Sequence, residues 1–351
     1  MEERNYWLGF SAFPAIGPAR FRKILKEFKT AKAAWEAKRP EFSIEDYIKK
    51  LKEKEVWFVT LEDEEYPQLL KEIKNPPFVL YGKGDQSLLN CSIAAIAVVG
   101  TRKTTEYGRE VTKLLTTDLV ANGFTIVSGL ALGVDAISHV TALENNGKTI
   151  AVLGCGVDCC NPAENQSIYN SILTSGNSPR GEAAGCIISE FPLGMKPAKW
   201  TFPARNRIIA GLSQGVLVTE GAEDSGSLIT ADYAFKFNRK VFAVPGPITS
   251  SMSKGPYALI QKGATLVTSS KDIISELGIS NFKFPISNKP KITGTKEENI
   301  ILEVLAQEAL HFDEIARKTK FTSSKLGVIL SLMEIKGMIK SLDGGMFGIA
   351  T

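Results

Sequence analysis

The chain has 351 residues, is 44% hydrophobic and 23% charged, and carries a formal net charge of +4. That length predicts two or three domains, and the composition is that of a globular protein. No run of about 18 apolar residues occurs, so no membrane-spanning helix is expected. The charged start, Met1-Glu-Glu-Arg-Asn-Tyr, lacks the apolar core of a signal peptide, and a cytoplasmic location is expected. Five cysteines in a chain of this length do not make a disulfide framework. Cys155, Cys159 and Cys160 cluster as C-x3-C-C, but no second Cys/His pair lies nearby and the chain's two histidines are His139 and His311. Neither a metal nor any other cofactor is expected.

The first part reads as short helices. Ala15-Ile-Gly-Pro-Ala-Arg precedes Phe21, Ile24, Leu25 and Phe28, which have helical spacing. Helix, Ile-Gly-Pro turn, helix is compatible with a helix-hairpin-helix, and equally with any tight helical corner. Residues 1–55 hold 13 Lys and Arg against 9 Asp and Glu, the most basic part of the chain. Tyr66-Pro and Asn75-Pro-Pro-Phe-Val-Leu-Tyr-Gly follow, and their prolines forbid a long helix. The boundaries expected are a helical domain at 1–60 and a connector at 61–92.

From 93 to 280 the pattern alternates. Apolar runs of strand length recur at Ile93–Val99, Phe124–Val127, Thr149–Leu153, Ile187–Ser189, Gly215–Thr219, Val241–Val244 and Thr265–Val267. Amphipathic stretches such as Tyr107–Ala121, Val134–Asn145 and Leu228–Phe237 lie between them. This predicts an α/β domain with a mainly parallel, doubly wound, Rossmann-like sheet.

Ligands of such sheets bind outside the carboxyl ends of the strands, and the unusual loops here follow strands. They are Gly100-Thr-Arg-Lys-Thr-Thr, Ser128-Gly-Leu-Ala-Leu-Gly-Val-Asp, Gly154-Cys-Gly-Val-Asp with Asn161-Pro-Ala-Glu-Asn, and Glu220-Gly-Ala-Glu-Asp-Ser-Gly-Ser. After the fourth strand, residues 191–219 contain no Asp or Glu, yet carry Lys196, Lys199, Arg205 and Arg207 among Phe191, Trp200 and Phe202. Cations interleaved with aromatics suit a groove that holds a phosphate backbone and stacks exposed bases. Residues 56–285 balance 20 basic against 21 acidic side chains, so an anion site there must come from the placement of a few residues. Geometry gathers Arg102, Ser128, Gly129, Arg205, Arg207, Ser225, Gly226 and Ser227 at one rim. Ser-Gly-Ser at a helix start offers amides and hydroxyls to an anion, or simply caps the helix. Arg205 and Arg207 stand two residues apart, so one is expected to reach the ligand while the other braces the loop through an ion pair.

Catalysis is not expected. Asp135 and His139 are spaced i, i+4, but no nucleophile is tied to them. Gly154-Cys-Gly lacks the rest of a dinucleotide fingerprint, and no phosphate-binding Walker sequence occurs.

Residues 281–295, rich in Pro, Lys, Ser and Asn, read as a linker. A winged helix is expected over 296–351. Its helices are Asn299–Ala309, one starting at Phe312 and one from Ser323 through Ile335. Its hairpin is Met338–Leu342, Asp343-Gly-Gly and Met346–Ile349. The presumed recognition helix offers only Lys325 and Lys336, which suits protein docking better than groove reading.

Val99-Gly-Thr-Arg, Ser128-Gly-Leu-Ala-Leu-Gly-Val-Asp-Ala, Ser189-Glu-Phe-Pro, Phe202-Pro-Ala-Arg-Asn-Arg-Ile-Ile-Ala-Gly-Leu-Ser, Ser225-Gly-Ser-Leu-Ile-Thr-Ala and Phe242-Ala-Val-Pro-Gly, in that order, resemble the DNA-processing protein A (DprA/Smf) family. The N-terminal helices and Tyr66-Pro-x-x-Leu fit its layout. The resemblance implies an extended Rossmann domain between a small helical (SAM or helix-hairpin-helix-like) domain and a winged helix. It implies a non-enzymatic single-stranded DNA binder that loads the RecA recombinase in DNA uptake or recombination and forms a homodimer through the Rossmann domain. Its motifs carry over Arg102, Arg205 and Arg207 as DNA contacts, and with the rim residues the contacts expected are Gly100, Thr101, Arg102, Ser128, Gly129, Arg205, Asn206, Arg207, Ser225, Gly226 and Ser227. Substituting Arg102 or Arg205 is then expected to weaken binding and leave the fold intact. Where many members carry Tyr-Pro and a nearby lysine, this chain has Asn161-Pro162 and Gln166. Lys148, Gln166, Lys199 and Trp200 are secondary candidates. The rival reading is a Rossmann-type nucleotide phosphoribohydrolase with its phosphate on the Ser225 loop.

Overall fold

The computed structural model describes residues 1–90, 95–174, 184–278, 295–305, 310–336, 338–342 and 345–349. Ile93, most of the expected 281–295 linker, the end of the helix expected to Ala309, and Asp343 with Gly344 lie outside them. The chain forms two compact units, Met1–Phe282 and Lys283–Thr351.

Four helices open the first unit: α1 (Glu3–Ser11), α2 (Pro18–Phe28), α3 (Ala31–Lys38) and α4 (Ile44–Glu53). Pro18 stands in the first turn of α2, where a missing N–H costs nothing. Thr30 and Ser43 cap α3 and α4 by accepting from the amides of Ala33 and Asp46. Apolar residues at helical spacing then meet in an aromatic core. Phe21 stacks on Phe78 at 4.1 Å and takes the edge of Trp7 at 4.8 Å.

Phe78 belongs to the segment expected as a connector, and that segment contributes to the sheet. After β1 (Trp57–Thr60) and α5 (Gln68–Lys71), β2 (Val79–Gly84) pairs antiparallel with β1. Pro76 and Pro77 rule out a helix, as expected, but they stand just before the strand, where no ladder hydrogen bond is lost. The aromatic core thus joins the helices to Val79 and Tyr81 of β2 within the unit Met1–Phe282.

The remaining elements alternate: β3 (Ala95–Val99), α6 (Glu106–Ala121), β4 (Thr125–Ser128), α7 (Val134–Glu144), β5 (Thr149–Val152), α8 (Gln166–Leu173), β6 (Gly185–Ser189), α9 (Thr201–Leu212), β7 (Gly215–Val218), α10 (Ser227–Lys236), β8 (Lys240–Ala243), α11 (Lys254–Gln261), β9 (Thr265–Leu266) and α12 (Ser270–Glu276). The nine-stranded sheet has the order β1-β2-β6-β5-β4-β3-β7-β8-β9. Strands β3 to β9 run parallel, while β2 pairs antiparallel with β6. Side chains alternate between two cores. Ala97 and Val99 pack toward α9, α10 and α11, and Ile96 and Val98 pack toward α6, α7 and α12. Helices on both faces of an almost wholly buried parallel sheet make the doubly wound architecture expected.

The second unit is a winged helix by its own element order: α13 (Lys296–Leu305), β10 (Leu310–His311), α14 (Phe312–Thr319), α15 (Ser323–Ile335), β11 (Ile339–Leu342) and β12 (Met346–Ile349). Its strands pair antiparallel in the order β10-β12-β11. Ile301, Ile315, Leu326, Leu330 and Met333 fill its core. No described helix is long and apolar enough to cross a membrane.

One buried group links the fold to pH. His139 on α7 is sealed from solvent, and its Nδ1 lies 2.7 Å from the Thr149 hydroxyl. Burial, aided by the nearby Arg205 charge, lowers its pKa to about 3. The folded chain therefore keeps His139 neutral, while the unfolded chain protonates it below about pH 6.5. Stability present above pH 6.5 is lost as pH falls toward 3, at about 1.4 kcal/mol per unit. Buried Asp135 and Glu190, whose carboxyls are raised by desolvation, act in the opposite sense. The difference between wild type and His139→Gln isolates the histidine. Urea unfolding at pH 7 and pH 5 should show a loss about 2 kcal/mol larger in wild type; equal losses would remove His139 from the account.

Candidate nucleic-acid interface

The chain runs from β3 to β4, β5 and β6 on one side, then returns to β7 beside β3 and continues to β8 and β9. Loops leaving β3 and β7 therefore diverge, and the crevice between them is the switch point where doubly wound sheets bind ligands. Two contacts pin these loops together. The Thr101 amide donates to the Glu220 carbonyl at 2.8 Å. The buried Glu220 carboxylate accepts from the Thr105 amide at 2.9 Å and its hydroxyl at 2.6 Å. Gly108 makes room, because a Cβ there would stand 2.0 Å from Glu220 Oε2.

An open cleft of about 370 Å³ results. One side carries Arg102 and Lys103, both exposed; the floor holds Phe202 and Asn206, and the far side is Asp224 with Ser225-Gly226-Ser227. The Arg102 guanidinium sits over the Phe202 ring, 5.5 Å from its centroid, a cation–π contact that leaves its donors free for an anion. Among the described residues, neither Arg102 nor Lys103 has a carboxylate within ion-pair distance. Ser225 and Ser227 share a hydrogen bond of 2.8 Å, and Asn206 Nδ2 holds the loop by donating to the Gly226 carbonyl at 3.2 Å. A smaller recess, lined by Gly129, Gly154, Asn161 and Pro162, adjoins the cleft at Arg102 and Phe202.

Residues 57–278 match the family model of DNA recombination-mediator protein A, and residues 286–345 match that of the DprA winged helix domain. The chain belongs to the DNA recombination-mediator protein A (DprA/Smf) family. It is 38% identical over 299 residues to Protein Smf of Synechocystis sp., covering 79% of this chain and 73% of that one. DNA processing protein A of Streptococcus pneumoniae superposes with a TM-score of 0.63 at 34% identity, over 78% of this chain and 97% of the other. The Helicobacter pylori protein, whose solved structure concerns its single-stranded DNA binding mode, superposes with a TM-score of 0.55 at 33% identity, over 63% and 96%.

The family's motif residues do not all face the cleft. Gly100, Thr101, Arg102, Arg205, Asn206, Ser225, Gly226 and Ser227 line it, whereas Ser128, Gly129 and Arg207 do not. Ser128 is fully buried and donates to the Val98 carbonyl at 2.7 Å, because its side chain points into the sheet. Gly129 is buried too, and the space its side chain would need holds the Arg205 guanidinium, 2.5 Å from an ideal Cβ. Arg205 lies at the bottom of the cleft, only 4% exposed, with its guanidinium turned to acceptors inside the molecule. Its Nη1 donates to the Gly129 and Val152 carbonyls, and its Nε to Asn206 Oδ1 at 3.1 Å. Burial lowers its pKa, opposed by the charge of Asp135. Asp135 accepts in turn from the amide of Gly129 at 3.1 Å. Arg207 is the bracing arginine expected of the pair. It leaves the opposite side of α9 and forms an ion pair with Glu190.

None of the four secondary candidates lines the cleft. Lys148 precedes β5, at the amino end of the sheet, where it pairs with Asp85 at 3.8 Å. Trp200 lines a different pocket, beyond α9. Gln166 is exposed at the start of α8, and its Nε2 donates to Asn170 Oδ1 at 3.0 Å. Lys199 is exposed beside Trp200. His139 does not line the cleft, and Cys155 is buried with its thiol donating to the Cys159 carbonyl. Sequence reasoning missed three residues that build the site. Lys103 was legible as the second cation of its loop. Glu220 and Asn165 were not: Asn165 is buried and donates to the carbonyls of Leu130 and Ala131 at 2.9 and 3.1 Å, which only the folded loops bring near.

The two arginines now separate. Arg205→Ala strands two strand-end carbonyls and leaves buried Asp135 without its cation, so urea unfolding should show a loss of about 3 kcal/mol. Arg102→Ala, at an exposed site, should stay within about 0.5 kcal/mol of wild type. Equal stability of the two variants would contradict the buried role of Arg205.

Proposed function

We propose that this chain binds single-stranded DNA across the switch-point cleft and mediates recombination without catalysing a reaction. The observation that carries this reading is the Arg102 guanidinium, free of any described carboxylate, held over Phe202 across the cleft from the Ser225-Gly226-Ser227 loop. An anion reaches a cation, hydroxyls and helix-start amides there, beside an aromatic ring. Family membership and the binding mode of the H. pylori relative support the same reading. In this proposal the bound strand is handed to a RecA recombinase, and the working form is a homodimer joined through the sheet domain. Asp135 lines the cleft but is committed to the Gly129 amide, and His139 is neutral and buried, which favours binding over phosphoribohydrolase chemistry.

Cleft contacts to phosphate carry no base code, and a flexible single strand fits between the loops better than a duplex. Oligo-dT should bind more tightly than a duplex of equal length, and less tightly as salt rises. Arg102→Ala should cost about 1–3 kcal/mol of binding, read by fluorescence anisotropy at fixed salt. Equal affinity for duplex, or normal binding by a folded Arg102→Ala variant, would reject the cleft as the DNA site.

The winged helix contributes less in this reading. Its two recognition-helix cations are neutralised within the unit, Lys325 by Glu297 at 2.5 Å and Lys336 by Glu298 at 2.8 Å, while Val328 and Leu332 lie exposed. Deleting residues 290–351 should lower single-strand affinity by less than about tenfold, or 1.4 kcal/mol. A hundredfold loss with the remaining unit still melting cooperatively would make the winged helix a principal DNA-binding element.

A further inference from the structure

We infer that a second pocket, on the far side of α9 from the cleft, takes one unstacked pyrimidine base of the bound strand. Helical spacing separates the two sites. Phe202, Asn206 and Ile209 face the cleft, while Trp200, Ala204 and Arg207 face this pocket. The same acid-free stretch therefore serves both, and a strand leaving the cleft over the start of α9 meets exposed Lys199 and Trp200 next.

The pocket has the size and walls for one ring. Its volume is about 150 Å³, the size of an engineered cavity that holds a single benzene. Phe13, Ile16, Phe78, Phe191 and Trp200 line it. Trp200 is the exposed member, 55% accessible, and its ring is set edge-on to buried Phe191 at 5.7 Å. An exposed tryptophan held in place by a second aromatic is a stacking platform.

Its polar end is the Glu190–Arg207 ion pair, whose side chains are only 10% and 11% exposed. Cytosine and thymine fit the volume as single rings, and the second ring of adenine exceeds it.

This inference rests on the proposed binding of single strands, and its test is arranged to fail separately. Saturation-transfer NMR on the full chain would use free deoxycytidine, thymidine and deoxyadenosine as probes. Transfer is expected to the pyrimidine nucleosides above deoxyadenosine, and is expected to vanish in Ala204→Leu, which fills the pocket and keeps both Glu190 and Arg207. Gly17→Leu, on the opposite wall where a Cβ meets nothing within 4 Å, plugs the pocket by a second route if the first variant does not fold. With oligonucleotides, oligo-dC should bind about tenfold more tightly than oligo-dA, the scale of one base stacked on an aromatic side chain, and the plugged variants should lose that preference. No transfer in wild type, or undiminished transfer in both plugged variants, would show that the pocket holds only water and overturn the inference, even where oligonucleotides bind through Arg102. Pyrimidine transfer without any oligonucleotide binding would keep the pocket and remove the reading of the cleft.

Discussion

Arg205 donates from inside the molecule to the carbonyls of Gly129 and Val152, groups that end neighbouring strands β4 and β5. A guanidinium removed from water is costly, and it persists here because several acceptors meet its fork and buried Asp135 offsets its charge. Asp135 holds the turn after β4, while Asn206, which accepts from Arg205, holds the loop before α10. One cation thus organises three loops. Without it, the cleft would have a mouth of unrelated turns.

That arrangement divides labour between arginines that look alike in sequence. Arg205 is committed to the scaffold and Arg207 to an ion pair with Glu190, so the group left to meet an anion is Arg102, on the loop that Glu220 pins to the opposite side of the crevice. The cleft is not a broad basic surface: Asp224 stands on its far side. Affinity for a polyanion must then come from the placement of Arg102 and Lys103 against amides and hydroxyls, in a crevice built before the ligand arrives.

Strand and helix periodicity made the parallel sheet legible, because strands buried on both faces are continuous apolar runs. The loops after them were legible through their small residues and their place at carboxyl ends. What sequence could not show was direction. Ser128 and Gly129 are small because Arg205 and the sheet crowd them, and a ligand's close approach would have selected the same residue types. The alternation of Arg205 and Arg207 correctly separated their faces, but burial of the first follows from acceptors more than 50 residues away. β2 was hidden by its prolines, which end one element and permit another.

In the proposed complex a DNA strand lies along the β3–β7 crevice. Amide hydrogen exchange with and without an oligo-dT at low salt tests it most directly, because it maps the contact without altering any residue. Exchange should slow at residues 100–105 and 222–229 on both sides of the cleft, and hardly change at β8 or β9. Protection confined to residues 295–349, with the crevice loops exchanging as in free protein, would contradict it.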